Sequence, residues 1–291
     1  MYLEHFGLRE YPFQLTPNTG YYYGRASHQE ALTMLWAALE SGEGFLRVTG
    51  EVGTGKSLVC RQLLHKLGDH WQAALILNPA LDPASLRQVV ADELQLDAGN
   101  DCINAHELLR ALHARLQENA TAGRRTLLII DEAQVMPDES LETLRLLTNL
   151  ESEEAKLLQV VLLGQPELDQ RLAQPHLRQL RQRCTFRYRL QPLPLEVVDD
   201  YLHHRVQTAG YRGRGLFMPK ASRLIGRAGQ GVPRTINTLA HKALLAAFGD
   251  GVQQVVREHV VRAIEDTETA DASAIGIRRW LPGRSRGEER T

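Results

Sequence analysis

Eight residues, Gly50-Glu51-Val52-Gly53-Thr54-Gly55-Lys56-Ser57, fit the pattern G-x-x-x-x-G-K-[ST]. They constrain the fold more than any other stretch of the chain. FLRVTG (Phe45 to Gly50) reads as a short strand leading into the loop, and the residues from Leu58 to about Gly68 read as a helix. A loop between a strand and a helix turns backbone N–H groups inward and aims the positive helix N-terminus at the same anion. Gly50, Glu51, Val52, Gly53, Thr54, Gly55, Lys56, Ser57 and Leu58 are therefore the candidates for holding a nucleotide. Lys56 would reach the β- and γ-phosphates, and the Ser57 hydroxyl would coordinate Mg2+. A chance match in a chain of this length is on the order of 1%. The competing account is a glycine-rich turn with no ligand, and the strand and helix around the loop argue against it.

The rest of the chain fits that start. AALILNP (Ala73 to Pro79), TLLIID (Thr126 to Asp131), LLQVVLLG (Leu157 to Gly164) and CTFRYRL (Cys184 to Leu190) read as further strands. Helical stretches separate them, near Pro83 to Leu94, Ala105 to Asn119 and Glu139 to Leu150. Mostly apolar strands alternating with helices predict an α/β fold, a parallel sheet covered by helices on both faces. Ahead of the first strand, Ser27 and Glu30 read as a capping box for the helix SHQEALTMLWAALE. After Pro192 strand signals stop. Leu195 to Ala209, Pro219 to Ala228, Val232 to Phe248 and Val255 to Asp266 all read as helices. The expected organisation is an α/β domain over 1–192 with an irregular lead-in over 1–26, an all-helical domain over 193–268, and a disordered tail over 269–291. That tail carries Arg278, Arg279, Arg284, Arg286 and Arg290 around Trp280.

LLIIDEAQ (Leu127 to Gln134) places Asp131 and Glu132 directly after an apolar run. At the C-terminal edge of a parallel strand a carboxylate can face the ligand crevice. Asp131 would bind Mg2+ and Glu132 would polarise the attacking water. A plain solvated turn is the alternative, made weaker by the phosphate loop about 75 residues upstream.

Lys plus Arg is 34 and Asp plus Glu is 35, so the formal net charge is −1. A chain that neutral is not globally a polyanion binder, although a local basic patch is compatible with it. Cys60, Cys102 and Cys184 are odd in number and far apart, which fits neither a disulfide framework nor a metal site and suits a reducing compartment. No apolar run approaches the roughly 20 residues of a membrane span, and the charged start MYLEHFGLREYPF is unlike a signal peptide. The expectation is a cytoplasmic protein, with a peripheral place at the inner membrane left open.

MYLEHFGLREYPFQLTP, GEVGTGKS, LLIIDEAQ, LLGQPEL and GVPRTINTLAHKAL together resemble the general secretion protein A (ExeA) family of AAA+ ATPases. Within it the chain is most like the shorter MshM members of mannose-sensitive haemagglutinin (MSHA, type IV) pilus biogenesis. The resemblance covers about Met1 to Asp266. It departs from longer members in having neither a membrane span nor room for a peptidoglycan-binding domain, which puts cell-wall binding in doubt.

The resemblance implies an AAA+ P-loop fold with a helical lid, ATP and Mg2+ as cofactors, and a homo-oligomer, either a ring or an ATP-dependent dimer. The partners it implies are pilus or secretion assembly proteins at the inner membrane. It makes Gln165, after the fourth strand, sensor 1, where the alternative is an ordinary turn before Pro166. Arg234 in GVPR becomes sensor 2 facing the γ-phosphate, against a surface accident. Arg171 to Arg189 holds six arginines and no acid. A solvated face, a nucleic-acid patch and an arginine finger acting at a neighbouring subunit all remain open there, with Arg183 the first choice for the finger and Arg181 and Arg178 behind it. By analogy the lead-in near Tyr23 to His28 packs on the adenine. A DNA-linked AAA+ regulator of the transposition-accessory type is the alternative function, disfavoured by the near-zero net charge.

Overall fold

The computed structural model describes residues 2–16, 18–24, 27–96, 104–150 and 156–276. Cys102 and the arginine-rich residues from Arg278 onward lie outside the described residues. Of the span read as a tail, Ala272–Ile275 forms a short 3-10 turn. In chain order the helices are α1 (Tyr2–Phe6), α2 (Ser27–Glu40), α3 (Lys56–Lys66), α4 (Pro83–Glu93), α5 (Ala105–Thr121), α6 (Asp138–Leu147), α7 (Pro166–Leu172), α8 (Arg178–Arg183), α9 (Val198–Thr208), α10 (Pro219–Ala228), α11 (Pro233–Gly249) and α12 (Arg257–Glu265). The strands are β1 (Phe45–Thr49), β2 (Trp71–Ile76), β3 (Arg125–Ile130), β4 (Gln159–Gly164) and β5 (Phe186–Arg189). The described residues fall into two compact units: Thr16–Leu193, and the opening residues to Leu15 together with the chain from Pro194 on.

The first unit is an α/β layer structure. Its sheet has the order β2-β3-β4-β1-β5, and all four pairings are parallel. Successive side chains on a strand face opposite sides, and here both sides are dry. Leu128, Ile130, Val160 and Leu162 join a core with residues of α4 to α8. Leu127, Ile129, Val161 and Leu163 join a second core with α2 and α3. Burial on both faces is why these strands are nearly continuous apolar runs. Their C-terminal ends align: Thr49 pairs with Gly164 and Arg189, and Ile130 with Ile76 and Leu162.

Local signals account for several helix starts. The Asp82 carboxylate accepts the N–H groups of Ala84 and Ser85 ahead of Pro83, and Asn104 with Glu107 forms a reciprocal capping box on α5. The box expected at α2 is used differently. The Ser27 hydroxyl accepts the Gln191 N–H (2.9 Å), and Glu30 accepts the Tyr188 hydroxyl (2.7 Å). Both residues tie α2 to the end of β5, the edge strand with partial exposure. The two described cysteines are free, and burial pushes the Cys60 thiol to about 12 and Cys184 to about 11. Neither is a thiolate nucleophile at neutral pH.

The second unit is helical, built from α9 to α12 with α1. Pro219 and Pro233 open α10 and α11 at the first turn, where a missing N–H costs nothing. The Tyr201 hydroxyl donates to Asn237 Oδ1 within the core at 2.8 Å. Sequence grouped the lead-in with the α/β domain, whereas residues 2–15 cluster with the helices. The reason is apolar burial with specific ties. Tyr2, Phe6 and Phe13 are almost fully buried. The Tyr2 hydroxyl is bonded to His241 Nδ1 (2.9 Å), Arg9 N–H donates to the Ala209 carbonyl (2.8 Å), and Arg205 Nε donates to the Pro12 carbonyl (2.6 Å). The Phe13 ring meets Phe217 edge-on at 5.7 Å.

Candidate functional site

The candidate residues of the α/β unit gather past the C-terminal ends of β1, β3 and β4, where open parallel sheets place ligand crevices. Gly50 follows β1, Asp131 follows β3 and Gln165 follows β4. The Gly50 N–H donates to the Gly164 carbonyl at 3.1 Å, which locks the loop start to the β4 end.

The loop has little space for side chains. Gly55 has a left-handed backbone (φ 101°), and a Cβ there would lie 2.6 Å from His28 Nε2. At Gly50 a Cβ would meet Thr54 Oγ1 at 2.8 Å. His28 is buried on α2, and its Nε2 donates to the Thr54 carbonyl at 2.6 Å, so α2 braces the middle of the loop. Burial lowers the His28 pKa, opposed in part by that hydrogen bond, and the ring is neutral at pH 7. Thr54 is fully buried and its hydroxyl donates to the Glu51 carbonyl (2.8 Å), whereas the Val52 side chain is exposed.

Lys56 opens α3 with its side chain buried. Its ammonium donates to the carbonyls of Gly50 (2.8 Å) and Glu51 (3.2 Å). Desolvation lowers its pKa, while Glu132, Asp131, Glu51 and Glu167 nearby favour the charge. A buried ammonium whose hydrogen bonds go to loop carbonyls, with carboxylates in its surroundings, is a cation that a phosphate group placed in the loop can pair with directly. One residue on, the Ser57 hydroxyl donates to Asp131 Oδ2 at 2.7 Å, and Asp131 is itself buried. A hydroxyl and a carboxylate oxygen in contact form a hard oxygen donor set of the kind Mg2+ takes beside phosphate oxygens. The residues present thus fit a nucleoside triphosphate with Mg2+.

Glu132 adopts a left-handed backbone (φ 53°, ψ 36°) that is uncommon for a residue with a side chain. This turns its carboxylate toward β4. There Glu132 Oε2 accepts from Gln134 Nε2 (2.6 Å) and from Gln165 Nε2 (3.3 Å). Sequence placed Gln165 correctly after β4 but missed Gln134, because its partner lies 31 residues away and only the fold brings them together. The sole signal was its place in DEAQ, two residues beyond Glu132.

Some arginines of the stretch are paired and others are exposed. Arg171 donates to the Gln134 carbonyl (2.7 Å) and pairs with Asp138, and Arg189 lies 3.7 Å from Glu51. Hydrogen bonds from Arg171 and His176 hold the Asp138 carboxyl below its ordinary range. Arg178 and Arg181 are exposed on α8, and Arg183, the last residue of that helix, is half-buried. Arg234 is the second residue of α11 in the helical unit and is exposed. Among the described residues no helix is long and apolar enough to cross a membrane.

A five-stranded parallel sheet covered on both faces, a phosphate loop after β1 and an acidic pair after β3 are the parts of a P-loop NTPase, and likeness to known proteins makes the fold that of the AAA+ class. Residues 39–172 match the AAA domain family. The chain is similar to the general secretion pathway protein A of Aeromonas hydrophila, at 46% identity over 256 residues. That match covers 88% of this chain and 46% of the relative, so the chain spans about half the length of the curated protein it matches. Among solved structures it resembles the Cdc6p of Pyrobaculum aerophilum (TM-score 0.67, 18% identity, 88% of this chain and 70% of that one). It also resembles the ORC2 protein of Aeropyrum pernix in its ADPNP-ADP complexes (TM-score 0.61, 17% identity, 84% and 68%). At these identities the structures speak for the fold.

Proposed function

We propose that this chain binds and hydrolyses ATP with Mg2+, works as a homo-oligomer, and supplies that hydrolysis to an assembly or secretion machine at the inner membrane. The observation that carries the reading is the convergence at one sheet edge of the Lys56 ammonium, the Ser57–Asp131 pair and the Glu132 carboxylate. Bound ATP-Mg would bring the phosphoanhydride and a Lewis acid. Lys56 would leave its carbonyl partners to neutralise phosphate charge. Ser57 and Asp131 would hold the metal, and Glu132, steadied by Gln165, would orient and polarise water.

Arg183 at the end of α8 is our candidate for a finger reaching a neighbouring subunit's nucleotide, with Arg181 and Arg178 as alternatives. Arg234 is the candidate sensor 2. The similarity to a general secretion pathway protein A supports a secretion or type IV pilus role, of which MSHA pilus biogenesis is the specific form we favour.

The test is a nucleotide titration followed by phosphate release. Wild-type protein should bind ATP with Mg2+ and release phosphate. Lys56→Ala should weaken binding at least tenfold, because the phosphates lose the buried cation of the loop. Equal affinity in the two proteins would remove Lys56 from the site.

A further inference from the structure

We infer that Gln134 is a positioning residue that links the Glu132 carboxylate to the Gln165 backbone, so that the water-activating acid and the β4 end move as one unit. The inference rests on the role of Glu132 proposed above and adds a residue that this role did not include.

Its two amide ends face two partners of opposite kind. A carboxylate only accepts hydrogen bonds, so the NH2 of Gln134 must face Glu132 Oε2, at 2.6 Å. A backbone N–H only donates, so the amide oxygen must face Gln165 N, at 3.0 Å. Either bond alone would fix the amide's orientation, and the two agree. The backbone of Gln134 is fastened as well. It lies in the 3-10 turn Ala133–Val135, and its carbonyl accepts from Arg171 Nη1 at 2.7 Å. Arg171 is held in turn by Asp138 at the start of α6. The pivot therefore touches the β3 exit, the β4 exit and α7.

Glu132 needs such a tether. Its left-handed backbone is an unfavoured state that persists only where neighbours over-determine it. Gln165 Nε2 also reaches Glu132 Oε2, but at 3.3 Å it is the weaker restraint. A charge-assisted bond at 2.6 Å from a fastened side chain is the stronger one. A carboxylate that must aim at one water loses more from wandering than from a change in its own basicity. The geometry also ties the acid to sensor 1: displacement of the Gln165 backbone pulls the amide that holds Glu132.

Two substitutions separate the two halves of the link. Gln134→Met has similar length and removes both bonds. Gln134→Glu keeps an oxygen to accept the Gln165 N–H but, when ionised, offers Glu132 no donor and sets a like charge beside it. In the nucleotide-free protein, amide hydrogen exchange at Gln165 should quicken about tenfold or more in Gln134→Met and stay close to wild type in Gln134→Glu. In the same proteins kcat should fall about tenfold or more in both variants, the scale of one lost hydrogen bond to a charged group. The KM for ATP should remain within about twofold. The inference is overturned if Gln134→Met leaves Gln165 exchange at the wild-type rate. It is equally overturned if exchange quickens while kcat holds, or if kcat and KM deteriorate together as in general loosening of the site. A wild-type protein without turnover would count against the ATPase reading, while the exchange measurement would still decide the Gln134–Gln165 bond.

Discussion

His28 has its charge suppressed by its surroundings. Burial removes the water that would solvate an imidazolium, so its folded-state pKa lies below the ordinary 6.5. The unfolded chain then binds that proton more readily than the folded one. Stability rises with pH wherever the unfolded state holds more protons. The contribution is therefore fully present above about 6.5 and is lost as pH falls from there through the folded value. Thermal unfolding followed from pH 7.5 down to pH 5 should show a falling midpoint. His28→Asn should fall less steeply, though not flatly, because burial also lowers His204 and His241. Identical slopes in the two proteins would mean that His28 is protonated in the folded state without penalty. In sequence the stretch near Tyr23 to His28 reads by analogy as an adenine contact, and the brace His28 forms on the Thr54 carbonyl is not visible there, because only the fold brings the two residues together. Lys56 and Ser57 were legible because their partners lie within the loop or directly after a strand with its own signature.

At the scale of elements, what sequence made plain follows from periodicity and punctuation. Pro83, Pro219 and Pro233 mark helix starts, and the apolar runs that became β3 and β4 are buried throughout apart from the first residue of β3. One element and one helix cap escaped. α1 has five residues, too few for a helical period to be read. The supposed capping box was a true pairing of residue types claimed by a different partner, Tyr188, which is remote in sequence. The attachment of residues 2–15 to the helical unit depends on similar remote ties, and it makes a prediction. Arg205 is buried between the rings of Phe13 and Tyr201, 5.9 Å from each centroid, with its Nε on the Pro12 carbonyl. Arg205→Ala strands that carbonyl and removes the stack, and should destabilise the protein by about 1–3 kcal/mol. Denaturant unfolding checks the loss, and limited proteolysis should cut the opening residues first. An unchanged midpoint with uncut opening residues would show that this tie is not what holds them.

For the whole molecule, the proposed oligomer makes turnover at a subunit boundary a question that can be tested. A finger that acts at a neighbour's nucleotide exists only in the assembled state, so specific activity should rise with protein concentration until assembly is complete. Arg183→Ala should bind ATP almost normally and lose about 10³–10⁵ in rate. Mixing it with Lys56→Ala creates interfaces where an intact nucleotide site faces an intact arginine, and activity should partly return. Co-assembly without recovery would move the assignment to Arg181 or Arg178. Beneath that lies the central claim, that Glu132 activates water at a nucleotide held by Lys56, Ser57 and Asp131. The most direct test measures ATP affinity and phosphate release on the same preparation of Glu132→Gln. The account predicts affinity within a few-fold of wild type with phosphate release reduced at least a hundredfold, the scale of positioned general acid–base catalysis. Phosphate release at the wild-type rate from Glu132→Gln would contradict it.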